Sequence, residues 1–325
     1  MTIGDLFDKH RIAITEKVAM GERSQRTIKD YSRLDAVLEI PSIRGVKLKS
    51  VGPEVFLTIR KRIYDTGWRL KTRRNAIMSV RSVFNWGEKR GYISNVIRYG
   101  GEFDPPGSND IEIEQEKKSP DRFIEREAIL ASLRRAKPAM KVAILLGINC
   151  GFYPGDSIAL TFDHVHTVDT KIPYHDFRRV KNGRARMAVL WPETVAAILD
   201  YRSNYRRCHN QSEHTIILTR YGKPHTKDGE GRKVIDAFSK MLDDIGYRTK
   251  GVSIGSLRHT YSAVIDRSGD KTMINLTMGH TPSSIQARFY AKRHLDKLPR
   301  LKKLADRVHD WLFGKTTHEE EEIAT

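Results

Sequence analysis

The stretch "GEFDPPGSNDIEIEQEKKSP", residues 101–120, constrains this chain more than any other feature. Its first sixteen residues carry six acids, no base and two adjacent prolines. Such a segment has little apolar surface to bury and reads as a connector. What precedes it is opposite in character: residues 1–100 hold 21 Lys/Arg against 10 Asp/Glu. At 325 residues the chain also exceeds what one compact core usually holds. The division that follows is a basic module over 1–104, an acidic linker over 105–120 and a second domain over 121–325.

The net charge of +18 calls for a polyanionic partner, and nucleic acid is the commonest. No apolar run approaches the roughly 18 residues of a membrane span, and no basic amphipathic helix adjoins an apolar anchor, so no membrane partner is expected. The N-terminus "MTIGDLFDKHRIAITEKV" lacks the apolar core of a secretory signal. Two cysteines, Cys150 and Cys208, make no disulfide framework and suit a reducing cytoplasm.

Helical periodicity dominates the first module. Ser24 is placed to cap a helix over "SQRTIKDYSRLDAVLEI", with Ile28, Tyr31, Leu34 and Leu38 on one face. "TRRNAIMSVRSVFNWGEKRG" repeats the pattern through Ile77, Val80 and Phe84 and ends at Gly91. Arg73, Arg74 and Arg81 fall off that apolar stripe, and with Lys71 nearby they are the candidate phosphate contacts. A solvated charged face is the plainer alternative. Downstream, two helices over "RFIEREAILASLRRA" and "KPAMKVAILLGINCGF" give way to short β-branched runs, then to helices again. Asn182-Gly183 is a hairpin signal, and Pro192 suits a first helical position. The fold class expected is mainly α (α+β), with a small antiparallel sheet in the second domain.

Metal and cofactor sites find little support. "DHVH" (163–166) and "CHNQSEH" (208–214) lack the paired spacing of a structural zinc site. There is no glycine-rich phosphate loop and no Gly-x-Ser-x-Gly elbow, so neither a nucleotide cofactor nor a serine hydrolase is indicated. The denser constellation lies at 251–294. Arg258 and His259 open a helix in "SIGSLRHTYSAVI", His280 follows a glycine in "NLTMGHTP", and Tyr290 sits among Arg288, Lys292, Arg293 and His294. Singly, each has a structural explanation: an ion pair at a helix start, a cap, a core aromatic.

Together, "LRHTYS", "MGH" and "ARFYAK" in that order resemble the catalytic signature of the tyrosine recombinases, the phage-integrase family. "INCGFYPGDSIALTFDHV" resembles the family's first box, and "RRVKNGRARMAVLW" its hairpin lysine. The first hundred residues are similar in pattern and charge to its helical core-binding domain. The resemblance implies that Tyr290 is the nucleophile forming a 3′-phosphotyrosyl link, with Arg258 and His280 serving non-bridging oxygens and Lys181 protonating the leaving 5′ oxygen. It further implies duplex DNA as partner, a homo-oligomer on that DNA, Arg288 among the DNA contacts, and no metal or cofactor. Two positions depart from the family: Tyr153 stands where its first arginine belongs, and Gly255 where it has a histidine. Asp156 keeps the acid of the first box. Arginines 178, 179, 184 and 186, flanking Lys181, are candidates to compensate. A degenerate integrase that only binds or bridges DNA, and a type IB topoisomerase, remain alternative functions. The terminal segment "LKKLADRVHDWLF" offers Leu301, Leu304, Val308 and Trp311 either to a neighbouring protomer or to its own domain.

Overall fold

The computed structural model describes residues 1–118, 121–168, 170–179, 183–208, 214–225, 231–280 and 295–314. Two compact units part between Ser119 and Pro120.

The first unit is helical: α1 (Ile3–Ala19), α2 (Gln25–Ser32), α3 (Asp35–Leu38), α4 (Pro41–Arg44), α5 (Pro53–Asp65), α6 (Leu70–Lys89) and α7 (Ser108–Lys118). A capping box opens α1, where Asp5 N–H donates to Thr2 Oγ1 at 3.2 Å and Thr2 N–H to Asp5 Oδ2 at 2.7 Å. On α6 the expected stripe is real, for Ile77, Val80 and Phe84 are wholly buried against Leu6, Phe56 and Ile59. Past its end Gly91 takes φ +73°. The single helix expected after Ser24 is instead two, α2 and α3. Arg62 of α5 donates to Val37 O at 2.7 Å and to Ala36 O at 3.3 Å, holding the end of α3 in place.

The acidic segment also differs from expectation. Residues 108–118 are helical as α7, and α7 belongs to the first unit. Glu114 accepts the Leu70 N–H at 2.8 Å, placing a carboxylate on the N-terminus of α6 where the helix dipole favours one. Arg74 donates to Pro106 O and Ser108 Oγ, and Arg81 to Phe103 O and Asp104. The acids read as a solvated linker therefore answer α6 and its arginines.

The second unit holds α8 (Arg126–Arg135), α9 (Pro138–Cys150), α10 (Pro154–Ala159), β1 (Val165–His166), β2 (Tyr174–His175), β3 (Ala188–Val189), α11 (Pro192–Asp200), α12 (Arg232–Asp244), α13 (Ser256–Asp266), α14 (Lys271–Met278) and α15 (Leu298–Phe313). The sheet is antiparallel in the order β1-β2-β3, with Val165 opposite His175 and Tyr174 opposite Val189. Residues 142–150 of α9 are buried on every side. Buried Asn149 ties α9 to the sheet and to α11, donating to Val189 O at 3.0 Å and accepting from Trp191 N–H and Thr194 Oγ1. The apolar face of α15 packs on its own unit: Leu301, Leu304 and Val308 are buried, Trp311 is half-buried against Phe123, and Trp191 Nε1 donates to Ala305 O at 3.0 Å. No helix among the described residues is long and apolar enough to cross a membrane.

Candidate active site

Two helix C-termini, those of α9 and α14, meet the first turn of α13. Each ends on a left-handed glycine, Gly151 at φ +60° and Gly279 at φ +62°. Neither position has room for a side chain. A Cβ on Gly151 would lie 2.8 Å from Tyr261 Cδ1, and one on Gly279 would lie 2.9 Å from Arg186 Cγ. The orphan carbonyls of these helix ends point the negative ends of two dipoles into one space, and two guanidinium groups fill it.

Arg258, only 3% exposed, donates through Nη1 to Gly151 O at 2.6 Å and through Nη2 to Met278 O at 2.6 Å. The same Nη2 lies 3.2 Å from His280 Nε2. A guanidinium can only donate, so Nε2 accepts and the neutral ring carries its proton on Nδ1. Arg186 is wholly buried and every nitrogen is engaged: Nε with Thr277 O, Nη1 with Asp156 at 2.9 Å, Nη2 with Cys150 O and Gly151 O. Burial pulls its guanidinium down to about 10, Asp156 opposing the shift, so it stays charged at neutral pH.

A third guanidinium completes the group. Arg179 lies over one side of the Tyr153 ring at 5.4 Å from its centroid, and Arg258 approaches the ring at 4.8 Å. Among the described residues, one carboxylate, Asp156, acts against these three cations. The surplus is felt by its neighbours. Desolvation lowers the His280 pKa, and Arg258, Arg179 and Arg186 lower it further. Desolvation and the charge of Arg179 likewise depress Arg258.

Of the residues singled out from sequence, Arg258 and His280 are brought into direct contact. Lys181, Arg288 and Tyr290 lie outside the described residues. The hairpin that carries Lys181 is formed, with Arg179 N–H donating to Arg184 O at 2.7 Å and Gly183 N–H to Arg179 O at 2.8 Å. Tyr261 is core, its phenol pushed up by burial, and is no candidate nucleophile. The two family departures turn out to be neighbours. A Cβ on Gly255 would stand 3.5 Å from Tyr153 Cδ1, so the ring of Tyr153 fills space that a large side chain at 255 would need.

Arg179 and Arg186 were not separable in the sequence from the other hairpin arginines. Strand alternation sets Arg178 and Arg179 on opposite faces, but nothing local says how deep each reaches. In the first unit Lys71 is exposed, while Arg73 stacks on Tyr64 at 4.4 Å and Arg74 and Arg81 are bonded within the unit. The described histidines of the weak metal motifs diverge: His164 meets Thr161, His166 meets Asp176 and His214 meets Asp163, while His209 lies outside the described residues. Among the described residues no group of three potential ligands converges.

The chain has the fold of the tyrosine recombinases. The integrase of the Tn1549 transposon (residues 82–397), in complex with circular intermediate DNA, is similar at TM-score 0.62 and 16% identity, over 93% of this chain and 99% of that one. A lambda integrase (75–356) dimer bound to a COC′ core site matches at TM-score 0.60 and 14% identity, over 88% and 97% of the two chains. XerH site-specific recombinase bound to palindromic difH matches at TM-score 0.59 and 13% identity, over 85% and 76%. No family model matches the sequence, and no curated protein matches it.

Proposed function

We propose that this protein is a DNA strand transferase that cuts and rejoins duplex DNA at specific sites through a 3′-phosphotyrosyl intermediate, working in the cytoplasm as a homo-oligomer on its DNA. The observation that carries the reading is the contact between Arg258 and His280 inside a cluster of guanidinium groups with, among the described residues, one carboxylate. Such a cluster is short of negative charge, and a phosphodiester supplies it. The similarity to DNA-bound integrases and recombinases points the same way.

In this reading the Tyr290 oxygen attacks the scissile phosphorus. A P–Oη bond forms as the P–O5′ bond breaks, and the electron pair departs on the 5′ oxygen. Lys181 gives that oxygen its proton, and the phenol proton leaves to water, from which Lys181 is reprotonated. Arg258 and the Nδ1–H of His280 serve the non-bridging oxygens, where charge develops. The reverse attack by a 5′ hydroxyl rejoins the strand, so the bond energy is kept and no cofactor takes part. Lys71, exposed on α6, and Arg288 hold the DNA backbone.

The test uses a randomised pool of nicked duplexes, in which a cut fragment diffuses away and traps the intermediate. Protein–DNA adducts that survive denaturation are then collected. Tyr290→Phe should abolish the adduct and leave non-covalent affinity within about threefold, since the lost group acts only in the transition state. If the parent protein binds duplex yet forms no adduct with any member of the pool, the protein is a DNA-binding relative that does not cut, a reading that the uncharged Tyr153 favours.

A further inference from the structure

The strand-transfer reading leaves a deficit. The first box supplies an uncharged Tyr153, while Arg258 has both terminal nitrogens on main-chain carbonyls and His280. Arg186 is bonded to the first box through Asp156 and Gly151 O, yet it is buried and all its nitrogens are engaged. Arg178 is exposed and folds back on Gly183 O at 3.3 Å, and Arg184 already has an interaction of its own.

Arg179 differs from all three. Its side chain is 12% exposed, and among the described residues its Nε has no hydrogen-bond partner and the nearest carboxylate oxygen, on Asp156, is 3.7 Å away. That separation attracts but is too long for a hydrogen bond. A nearly buried guanidinium donor without an acceptor is costly unless a ligand arrives to meet it. Its place is fixed on two sides, by the Tyr153 ring and by Gly279, whose missing side chain leaves its backbone close to Arg179 Cδ. His280 and Arg258 both sense its charge.

We infer that Arg179, reaching the site from the hairpin strand, is the residue that meets the scissile phosphodiester in place of the missing first-box arginine. Tyr153 is its support: the ring lies within cation–π reach of both the Arg179 and Arg258 guanidinium groups, and its π face partly offsets their repulsion. The charge absent at position 153 is restored from a different strand. This inference rests on the strand-transfer reading above, and its test separates the two.

The probe is one nicked duplex recovered from the randomised pool by its covalent capture on the parent protein, followed in single-turnover adduct formation. Arg179→Ala should slow the adduct by about 10²–10³-fold, the usual cost of removing one preorganised donor from a transition-state oxyanion. Arg178→Ala should stay within about threefold of the parent, and Arg179→Lys should fall between. Loss of folding would mimic the first result, so two rescues accompany it. The same duplex with a methylphosphonate at the scissile position lacks the negative charge that Arg179 would meet, and on it the gap between parent and Arg179→Ala should shrink to about tenfold or less. Restoring an arginine by Tyr153→Arg in the Arg179→Ala background should recover most of the rate. Equal rates for parent and Arg179→Ala would overturn the inference and leave the strand-transfer reading intact. So would a defect that neither rescue relieves, because Arg179 would then be structural. A parent protein that never forms adduct overturns the reading itself, and the inference with it.

Discussion

The arginines of the first unit and those of the second are put to opposite uses. On α6, Arg74 and Arg81 are bonded to the segment at 103–108, and Arg73 lies on Tyr64. Their terminal nitrogens and planes are answered by the unit's own carbonyls, carboxylate and rings. The Nε of Arg73 and of Arg81, like that of Arg179, has no hydrogen-bond partner among the described residues. In the second unit Arg179, Arg186 and Arg258 crowd around Asp156 with two helix C-termini behind them, and the charge is not balanced. Surplus cationic charge in a buried place is expensive unless an anion completes it. The lesson is that a basic run in sequence measures charge and not availability: the conspicuous arginines of α6 brace the fold, and inconspicuous Arg179 is poised for a ligand.

The comparison breaks most easily at Arg186, which the structure makes a brace inside the second cluster. Arg186→Met strips the Thr277 and Cys150 carbonyls of their guanidinium donor, leaves Gly151 O to Arg258 alone, and leaves Asp156 buried with only the more distant Arg179. We expect the second unit to lose about 3–5 kcal/mol, read from denaturant unfolding. A neutral result would mean that Arg186, like Arg179, carries charge meant for a ligand.

Histidine sharpens the same contrast. His10, the single histidine of residues 1–119, packs among Tyr31 and Trp86 at 4.7 and 5.1 Å, and burial pulls its pKa down to about 4. The unfolded chain takes up this proton near pH 6.5, whereas the folded unit resists until about 4. Stability is therefore intact above pH 6.5 and falls as pH drops through that window, by up to about 3 kcal/mol. Hydrogen exchange in peptides of the first unit should show the loss in the parent and a flatter profile in His10→Phe. An unchanged slope would place the acid sensitivity elsewhere.

How much of this was legible follows from how local each cause is. The stripe Ile77, Val80, Phe84, the glycine at 91 and the proline at 192 were readable because a helix writes its own period and ends. The pairing of Arg258 with His280 was readable from motif order. The helical nature of 108–118 was not, because its acids make sense only beside Leu70 N–H, a partner distant in sequence. Nor was the link between Tyr153 and Gly255, which is a matter of ring volume across two elements. The α15 face could be read as apolar, but that pattern is silent on whether its own unit or another copy covers it.

Smaller effects test the first unit. Arg81 donates to Phe103 O at 2.9 Å and Asp104 at 2.6 Å and lies 5.0 Å over the Tyr99 ring, so Arg81→Ala should cost the unit about 1–2 kcal/mol. It should leave the salt dependence of DNA binding nearly unchanged. Lys71→Ala, altering an exposed cation on the same helix, should do the reverse and reduce the log–log salt slope by about one unit without loss of stability. A full-unit change in slope from Arg81→Ala would erase the distinction between bracing and DNA-facing arginines.

The central claim is that the uncompensated cationic site of the second unit awaits a phosphodiester attacked by Tyr290. The most direct measurement is to trim the trapped protein–DNA adduct with nuclease, digest it with protease and locate the residue that carries the nucleotide by mass spectrometry. The account predicts the nucleotide on Tyr290 and no other tyrosine. Its appearance on Tyr153, which already lies against Arg179 and Arg258, would contradict the account.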